Sequence, residues 1–205
     1  MTPVTPAPGA RKAEILDVAT ALFAERGYEG ASMNDVAERV GIRKASLFYH
    51  FATKDALYEA VLDRLVASLQ APLEAIYAGS GTFAERLDEL TRTLVEALGT
   101  HPYAARLLLR ETMDWGPVMR GKLVERILLV LEAAGAWVEA GQQEGVFVPG
   151  DPRHMVLTAL GMHFLPFAVG QLVERYTGKT PFEPEFIEAR RLELQRQSRN
   201  LHLKR

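Results

Sequence analysis

The fold is decided by residues 32–54, which read Ser-Met-Asn-Asp-Val-Ala-Glu-Arg-Val-Gly-Ile-Arg-Lys-Ala-Ser-Leu-Phe-Tyr-His-Phe-Ala-Thr-Lys. Ser32 followed by Asp35 is typical of a helix N-terminus, where a hydroxyl caps a backbone N–H and an acid interacts favourably with the helix dipole. Gly41 predicts the end of that helix, because glycine adopts the left-handed conformation at low cost. A second helix is expected from about Lys44. Two short helices joined by a tight glycine-containing turn form a helix-turn-helix, whose second helix reads DNA.

The second helix presents hydrogen-bond donors on its solvent face. These donors are Arg43, Lys44, Ser46, Tyr49 and His50. No acidic residue follows them before Asp55. Phosphate oxygens and base-edge acceptors both require donors, so this composition favours a DNA-facing helix. A solvated helix with a basic pair at its start is the alternative interpretation.

Four segments in this region match a known pattern at the expected spacing. They are Leu22-Phe23-Ala24-Glu25-Arg26-Gly27-Tyr28-Glu29-Gly30-Ala31-Ser32, Asp35-Val36-Ala37, Gly41-Ile42-Arg43-Lys44-Ala45-Ser46-Leu47-Phe48-Tyr49-His50-Phe51 and Lys54-Asp55-Ala56-Leu57. Together they cover about residues 11–58 and resemble the N-terminal domain of the TetR/AcrR family of bacterial transcriptional regulators. From the residues and the resemblance together we expect a set of DNA contacts. The set is Ser32, Arg43, Lys44, Ala45, Ser46, Tyr49, His50 and Lys54.

The chain departs from the family pattern at three positions of the reading helix. Ala45 stands where a glycine is common and adds a methyl group near the DNA backbone. Phe48 replaces a frequent tyrosine and lacks its hydroxyl. Arg43 replaces a residue that is often small and polar, so it adds a positive charge.

Composition limits the classes of function. The chain has 205 residues, of which 48% are hydrophobic, and it has no cysteine, which excludes a disulfide framework or a thiolate site. Its net charge of −2 argues against a globally basic coat, so DNA binding requires a local patch. The longest apolar run, residues 155–169, is interrupted and short for a bilayer crossing, and residues 1–10 lack the apolar segment of a signal peptide. We therefore expect a cytoplasmic protein that does not bind a membrane.

The helical patterns predict an all-α protein of about nine helices. Residues 1–10 are expected to be a disordered arm, residues 11–58 a three-helix DNA-binding domain, and residues 59–205 a larger helical domain for effector binding and dimerisation. Thr53 is expected to cap a fourth helix with an apolar residue every four positions, extending to about residue 77. In the family that the chain resembles, this helix links the two domains mechanically.

The resemblance implies a ligand pocket among helices 5 to 8. We expect its lining to include Leu108, Glu111, Trp115, Met119, His163 and Phe167. The residues alone leave other roles open for two of these. Glu111 stands near a helix break, where an acid is commonly a cap or exposed, and His163 lies in an apolar run, where a histidine is commonly a core or interface residue.

Helix 8 is expected to be apolar on nearly all sides, so all of its sides must be covered. A partner subunit is the simplest cover, and we expect a two-fold homodimer that reads an inverted repeat in double-stranded DNA. The residues expected at the interface are Leu160, Phe164, Phe186, Ile187 and Leu194.

Three classes of function remain to be compared. The first is a ligand-responsive repressor that a small, largely apolar effector releases from its operator. The second is an enzyme using His163 with Glu111 or Asp114, which lacks any catalytic motif and leaves the donor-rich helix unexplained. The third is an architectural DNA-binding protein without an effector, for which the C-terminal domain is larger than needed. The five histidines show no metal-ligand spacing, so no metal, cofactor or enzymatic activity is expected.

Overall fold

A computed structural model describes residues 8–115, 118 and 121–204. Ten α-helices lie in this part of the chain, which confirms the all-α class. Their bounds are α1 Pro8–Gly30, α2 Met33–Val40, α3 Lys44–His50, α4 Lys54–Ala78, α5 Phe83–Thr100, α6 Ala104–Asp114, α7 Lys122–Gln143, α8 Pro152–Ala168, α9 Gly170–Thr177 and α10 Pro184–His202. The expected arm lies outside the described residues up to position 7. Positions 8–10 belong to α1, so the arm prediction is wrong there.

Local side-chain chemistry sets the ends of the short helices, as predicted. The Ser32 hydroxyl accepts a hydrogen bond from the Asp35 N–H at 3.2 Å, while the Asp35 carboxylate accepts one from the Ser32 N–H at 2.9 Å. Gly41 ends α2 with φ of 75°. The turn is closed by the Ile42 N–H, which donates to the Ala37 carbonyl at 3.0 Å. These contacts fix where α2 ends and where the turn to α3 begins.

Helix α4 joins the two halves of the molecule. It runs unbroken through Pro72. Its first half packs in a core with Phe23 of α1 and Leu47 of α3. The same core continues into Leu107 of α6 and Val118. The helices that carry the DNA-facing surface and those of the larger half therefore share one continuous hydrophobic core.

The apolar run divides into two helices where the sequence predicted one. Helix α8 ends at Ala168 and α9 begins at Gly170, with an angle of 77° between them. Pro166 explains the break, because proline cannot donate to the carbonyl four residues earlier. That carbonyl, on Met162, accepts a hydrogen bond from Arg190 at 2.8 Å instead. This contact ties α10 to α8.

Helix α10 packs along α5. The Gln195 amide donates to the Asp88 carbonyl at 3.1 Å, and Arg199 forms an ion pair with the Asp88 side chain. Leu194 has no exposed area, so its predicted place in a dimer interface is wrong: it fills the core of its own subunit. Ile187 also packs inward, close against Gly99. Among the described helices none could span a membrane alone, and only the bent pair of α8 and α9 reaches the required length and apolarity together.

Candidate DNA interface and effector cavity

The predicted reading helix turns its donors outward. Leu47 is fully buried and anchors α3, whereas Tyr49 is 88% exposed. Arg43, Lys44 and Ala45 are exposed beside it. The Lys44 ammonium lies 5.7 Å from the ring centre of Phe48, so its aliphatic stem follows the protein surface. The outer face of α3 therefore presents both long and short side chains to a binding partner.

Lys54 stands at the first position of α4, beside α3. Its ammonium lies 4.2 Å from the ring centre of Tyr28, and the Tyr28 hydroxyl donates to the Asp55 carboxylate. The Thr53 hydroxyl caps the same helix by accepting from the Ala56 N–H at 3.1 Å. These contacts hold a positive charge at a helix N-terminus, where an anion such as phosphate is favoured.

The charges around this surface separate into paired and unpaired groups. Arg26 pairs with Asp35 at 3.1 Å and Arg39 with Glu25 at 3.0 Å. Within the described residues no ion pair involves Arg43, Lys44 or Lys54, which form the local basic patch that the net charge required.

Ser32 has a structural role at this surface. Its hydroxyl also donates to the Asp35 carboxylate at 2.5 Å, in addition to accepting from the Asp35 N–H. Hydrogen bonds from Ser32 lower the pKa of the Asp35 carboxyl, so the carboxylate form of the cap is favoured. A phosphate contact by Ser32 stays a prediction.

A cavity of about 420 Å³ opens among α4 to α8. Its wall is almost wholly apolar, and none of its described residues is aspartate, glutamate, lysine or arginine. The wall includes Val66, Leu69, Leu73, Leu87, Leu90, Leu94, Leu108, Ala134, Trp137, Leu160 and Phe164. A cleft of this size and composition is typical of a small-molecule site.

The structure places one of the six predicted lining residues, Leu108, in the cavity wall. Glu111, His163 and Phe167 are buried but belong to other contacts, and Trp115 is 52% exposed with a φ of 47° at the end of α6. Met119 lies outside the described residues. Leu160 and Phe164, predicted for the dimer, line the cavity, because residues four apart share one face of α8.

Glu111 ties α6 to α4 and does not line the cavity. The Tyr58 hydroxyl of α4 donates to one carboxyl oxygen of Glu111 at 3.0 Å, and the Val118 N–H donates to the other at 3.0 Å. Burial and the neighbouring Glu111 raise the pKa of Tyr58, so its phenol remains a donor. The bond joins the helix that begins at Lys54 to a helix that contributes Leu108 to the cavity.

His163 is packed between helices. Its Nδ1 donates to the Ala159 carbonyl at 2.7 Å, and its Nε2 is buried without a hydrogen-bond partner among the described residues. Burial lowers the pKa of His163, with smaller contributions from Arg190 and His202. No group of three or more metal-ligating side chains occurs in the described chain.

The polar residues of the cavity wall, including His202 of α10, were missed from the sequence. His202 lies one helical turn after Ser198 and two turns after Leu194, both buried, so the helical period of α10 was the signal that could have found it.

Comparison with known proteins agrees with this arrangement. Residues 15–61 match the family described as "Bacterial regulatory proteins, tetR family". The HTH-type transcriptional regulator RutR of Escherichia coli (strain K12) is 30% identical to this chain over 173 residues, which cover 83% of this chain and 80% of RutR.

Two solved structures share the fold over nearly the whole chain. The ketosteroid transcriptional regulator KstR2 of Mycobacterium tuberculosis has a TM-score of 0.81 at 21% identity, covering 98% of this chain and 100% of KstR2. AibR, solved in complex with isovaleryl coenzyme A and operator DNA, has a TM-score of 0.76 at 20% identity, covering 91% of this chain and 97% of AibR. With the similarity to RutR extending over most of both proteins, the chain belongs to the TetR family of bacterial regulatory proteins.

Proposed function

We propose that this protein is a cytoplasmic, ligand-responsive repressor that binds an inverted-repeat operator as a homodimer and is released by a small, largely apolar effector. One observation carries the proposal: the apolar cavity of about 420 Å³ shares helix α4 with the DNA-facing surface. Family membership favours a regulator over an enzyme. AibR, which has a similar fold, was solved with both operator DNA and an acyl coenzyme A.

The DNA-binding and effector-binding functions divide at the predicted boundary near residue 58. Residues 11–58 provide the DNA-binding unit and residues 59–205 the effector-binding and dimerising unit, with α4 belonging to both. Arg43 and Lys54 contact phosphate, which supports affinity for any sequence. Tyr49 and His50 reach base edges and provide sequence preference.

The outer face of α8 supports the homodimer. Leu157 and Leu165 are 57% and 55% exposed, and the intervening Gly161 is exposed as well. These positions are four residues apart and so form one exposed apolar stripe, which borders the cavity beside Leu160 and Phe164. Pairing two copies through this stripe would place two reading helices on one duplex, where a two-fold protein reads two half-sites.

Release of DNA requires only that the effector prefer one conformation. A differential of about 3 kcal/mol would weaken operator binding more than a hundredfold. The route is short, because α4 and α6 both line the cavity and the Tyr58–Glu111 hydrogen bond joins them. A shift of α4 moves Lys54 and changes the separation of the two reading helices.

A cavity-filling substitution tests the proposal against the architectural alternative. A screen against genomic fragments supplies an operator, and native mass spectrometry identifies a retained molecule. Ala134 lies in the cavity wall, so the ring added in the Ala134→Phe variant fills part of the cavity. We expect normal operator affinity but no release by the retained molecule. Release equal to that of the unmodified protein, or no operator in the screen, would contradict the proposed function.

A further inference from the structure

His202 gives the apolar cavity a free polar group. The backbone holds this residue in place: its carbonyl accepts from the Val148 N–H at 2.8 Å, and the adjacent Leu203 bridges to Phe147. The side chain is only 9% exposed and forms part of the cavity wall. Its ring nitrogens make no hydrogen bond within the described chain, yet neither is sealed off, unlike His163 Nε2. The imidazole is therefore available to a molecule in the cavity.

The other polar side chains of the wall are mostly occupied. The Thr112 hydroxyl donates to the Leu108 carbonyl at 2.8 Å, and the Gln70 amide donates to Glu74 at 2.7 Å. The indole nitrogen of Trp137 is sealed within the packing. Burial raises the pKa of Tyr77 to about 12, so this residue is a second, neutral donor beside Trp137.

The surroundings also restrict the charge of the ligand. No described residue of the wall carries a fixed charge. Burial lowers the pKa of His202, so its imidazole is held neutral. An ionised headgroup enclosed here would lose its hydration without gaining a counter-charge. A neutral imidazole offers one donor and one acceptor, which suits a hydroxyl or a carbonyl oxygen.

We infer that the effector is an apolar molecule carrying an uncharged oxygen headgroup, such as a hydroxyl or carbonyl, which hydrogen-bonds to the imidazole of His202. This inference rests on the proposed effector cavity and specifies its ligand class. His202 is the specificity-determining residue, because Thr112 and Gln70 have partners of their own and the indole nitrogen of Trp137 is sealed within the packing. Tyr77 is the remaining polar group of the described wall, so the test below includes it.

Three ligands with one chain length test the inference: decanol, decanoate and decane. Their affinities are measured through the fluorescence of Trp137 in the full chain carrying Trp115→Phe. We expect decanol to bind about five- to tenfold more tightly than decane, because it adds one hydrogen bond. We also expect decanol to bind more tightly than decanoate. His202→Phe should remove the advantage of decanol while decane still binds. His202→Gln, which keeps a donor and an acceptor, should retain part of the advantage. The control His154→Phe, on an exposed turn of α8, should match the parent.

The outcomes separate this inference from the proposed function. Three results would overturn the headgroup assignment and leave the cavity in place. Decanoate could bind more tightly than decanol, or decanol could keep its advantage over decane in His202→Phe. The third is that Tyr77→Phe, and not His202→Phe, removes that advantage. If none of the three ligands changes Trp137 fluorescence, the effector cavity itself fails and the inference fails with it.

Discussion

Removing the Tyr58 hydroxyl isolates the connection between the two functional surfaces. The Tyr58→Phe substitution deletes the donor to Glu111 and keeps the ring. Ring contacts with Phe23 at 4.8 Å and with Tyr28 at 4.9 Å are therefore retained. Both Tyr58 and Glu111 are at least 97% buried, so water cannot replace the lost bond without a change in packing.

The magnitude of the effect on stability follows from this burial. A hydrogen bond to a carboxyl group contributes about 1.5–3 kcal/mol. A chain of this length loses about 2–4 °C in Tm for each kcal/mol, so we expect Tm to fall by roughly 3–12 °C. Tyr176→Phe is the matched control, because that hydroxyl is on a residue 89% exposed and its removal should leave Tm unchanged.

The same substitution should weaken the coupling between effector and operator. Operator affinity is measured by fluorescence anisotropy with and without an effector, and effector affinity is measured separately on the free protein. We expect effector affinity to be unchanged, since Tyr58 does not line the cavity. The effector-induced loss of operator affinity, commonly 5–150-fold, should shrink because α6 no longer moves α4 as strongly. A variant with the stability and the induction ratio of the parent would refute this role for the bond.

Further predictions concern DNA binding, assembly and pH. Lys54→Ala and Arg43→Ala should weaken binding to all sequences alike and reduce the salt slope by about one unit. Arg39→Ala, which removes an arginine already in an ion pair, serves as the control for these two variants. For Tyr49→Ala and His50→Ala, an equal loss of affinity for all operators would contradict the proposed base-reading role. Leu157→Glu with Leu165→Glu should produce monomers in sedimentation experiments, whereas Met113→Glu, on another exposed surface, should not; a dimer that persists in the double variant would exclude the α8 stripe. The pKa values of His163 and His202 are lowered on folding, so the unfolded chain takes up protons first as the pH falls. Stability should therefore be full above pH 6.5 and decrease as the pH falls below this value towards the folded pKa, and urea denaturation should show a smaller decrease for His163→Gln.

Helix ends and the reading surface could be predicted because their determinants are close in sequence. The Ser32 cap on Asp35, the Thr53 cap on Ala56 and the turn at Gly41 all depend on groups a few residues apart. The outward donors of α3 follow from the helical period once Leu47 is assigned to the core. Such features require no knowledge of the rest of the molecule, which is why the helix-turn-helix and its candidate contacts were visible in the sequence.

The sequence by itself determined the all-α class, the family resemblance and the donor-rich face, whereas the tertiary structure decided which buried residues meet. Glu111 hydrogen-bonds to Tyr58, which is 53 positions away in the sequence, and Asp88 pairs with Arg199, which is 111 positions away. An apolar helix such as α8 gives no periodic signal for the side that faces a cavity, so the sequence did not reveal that Leu160 and Phe164 line it. His202 became a candidate ligand contact only because α10 packs along α5 and brings it to the cavity. Burial and long-range pairing depend on how helices pack against each other, and that information is not local.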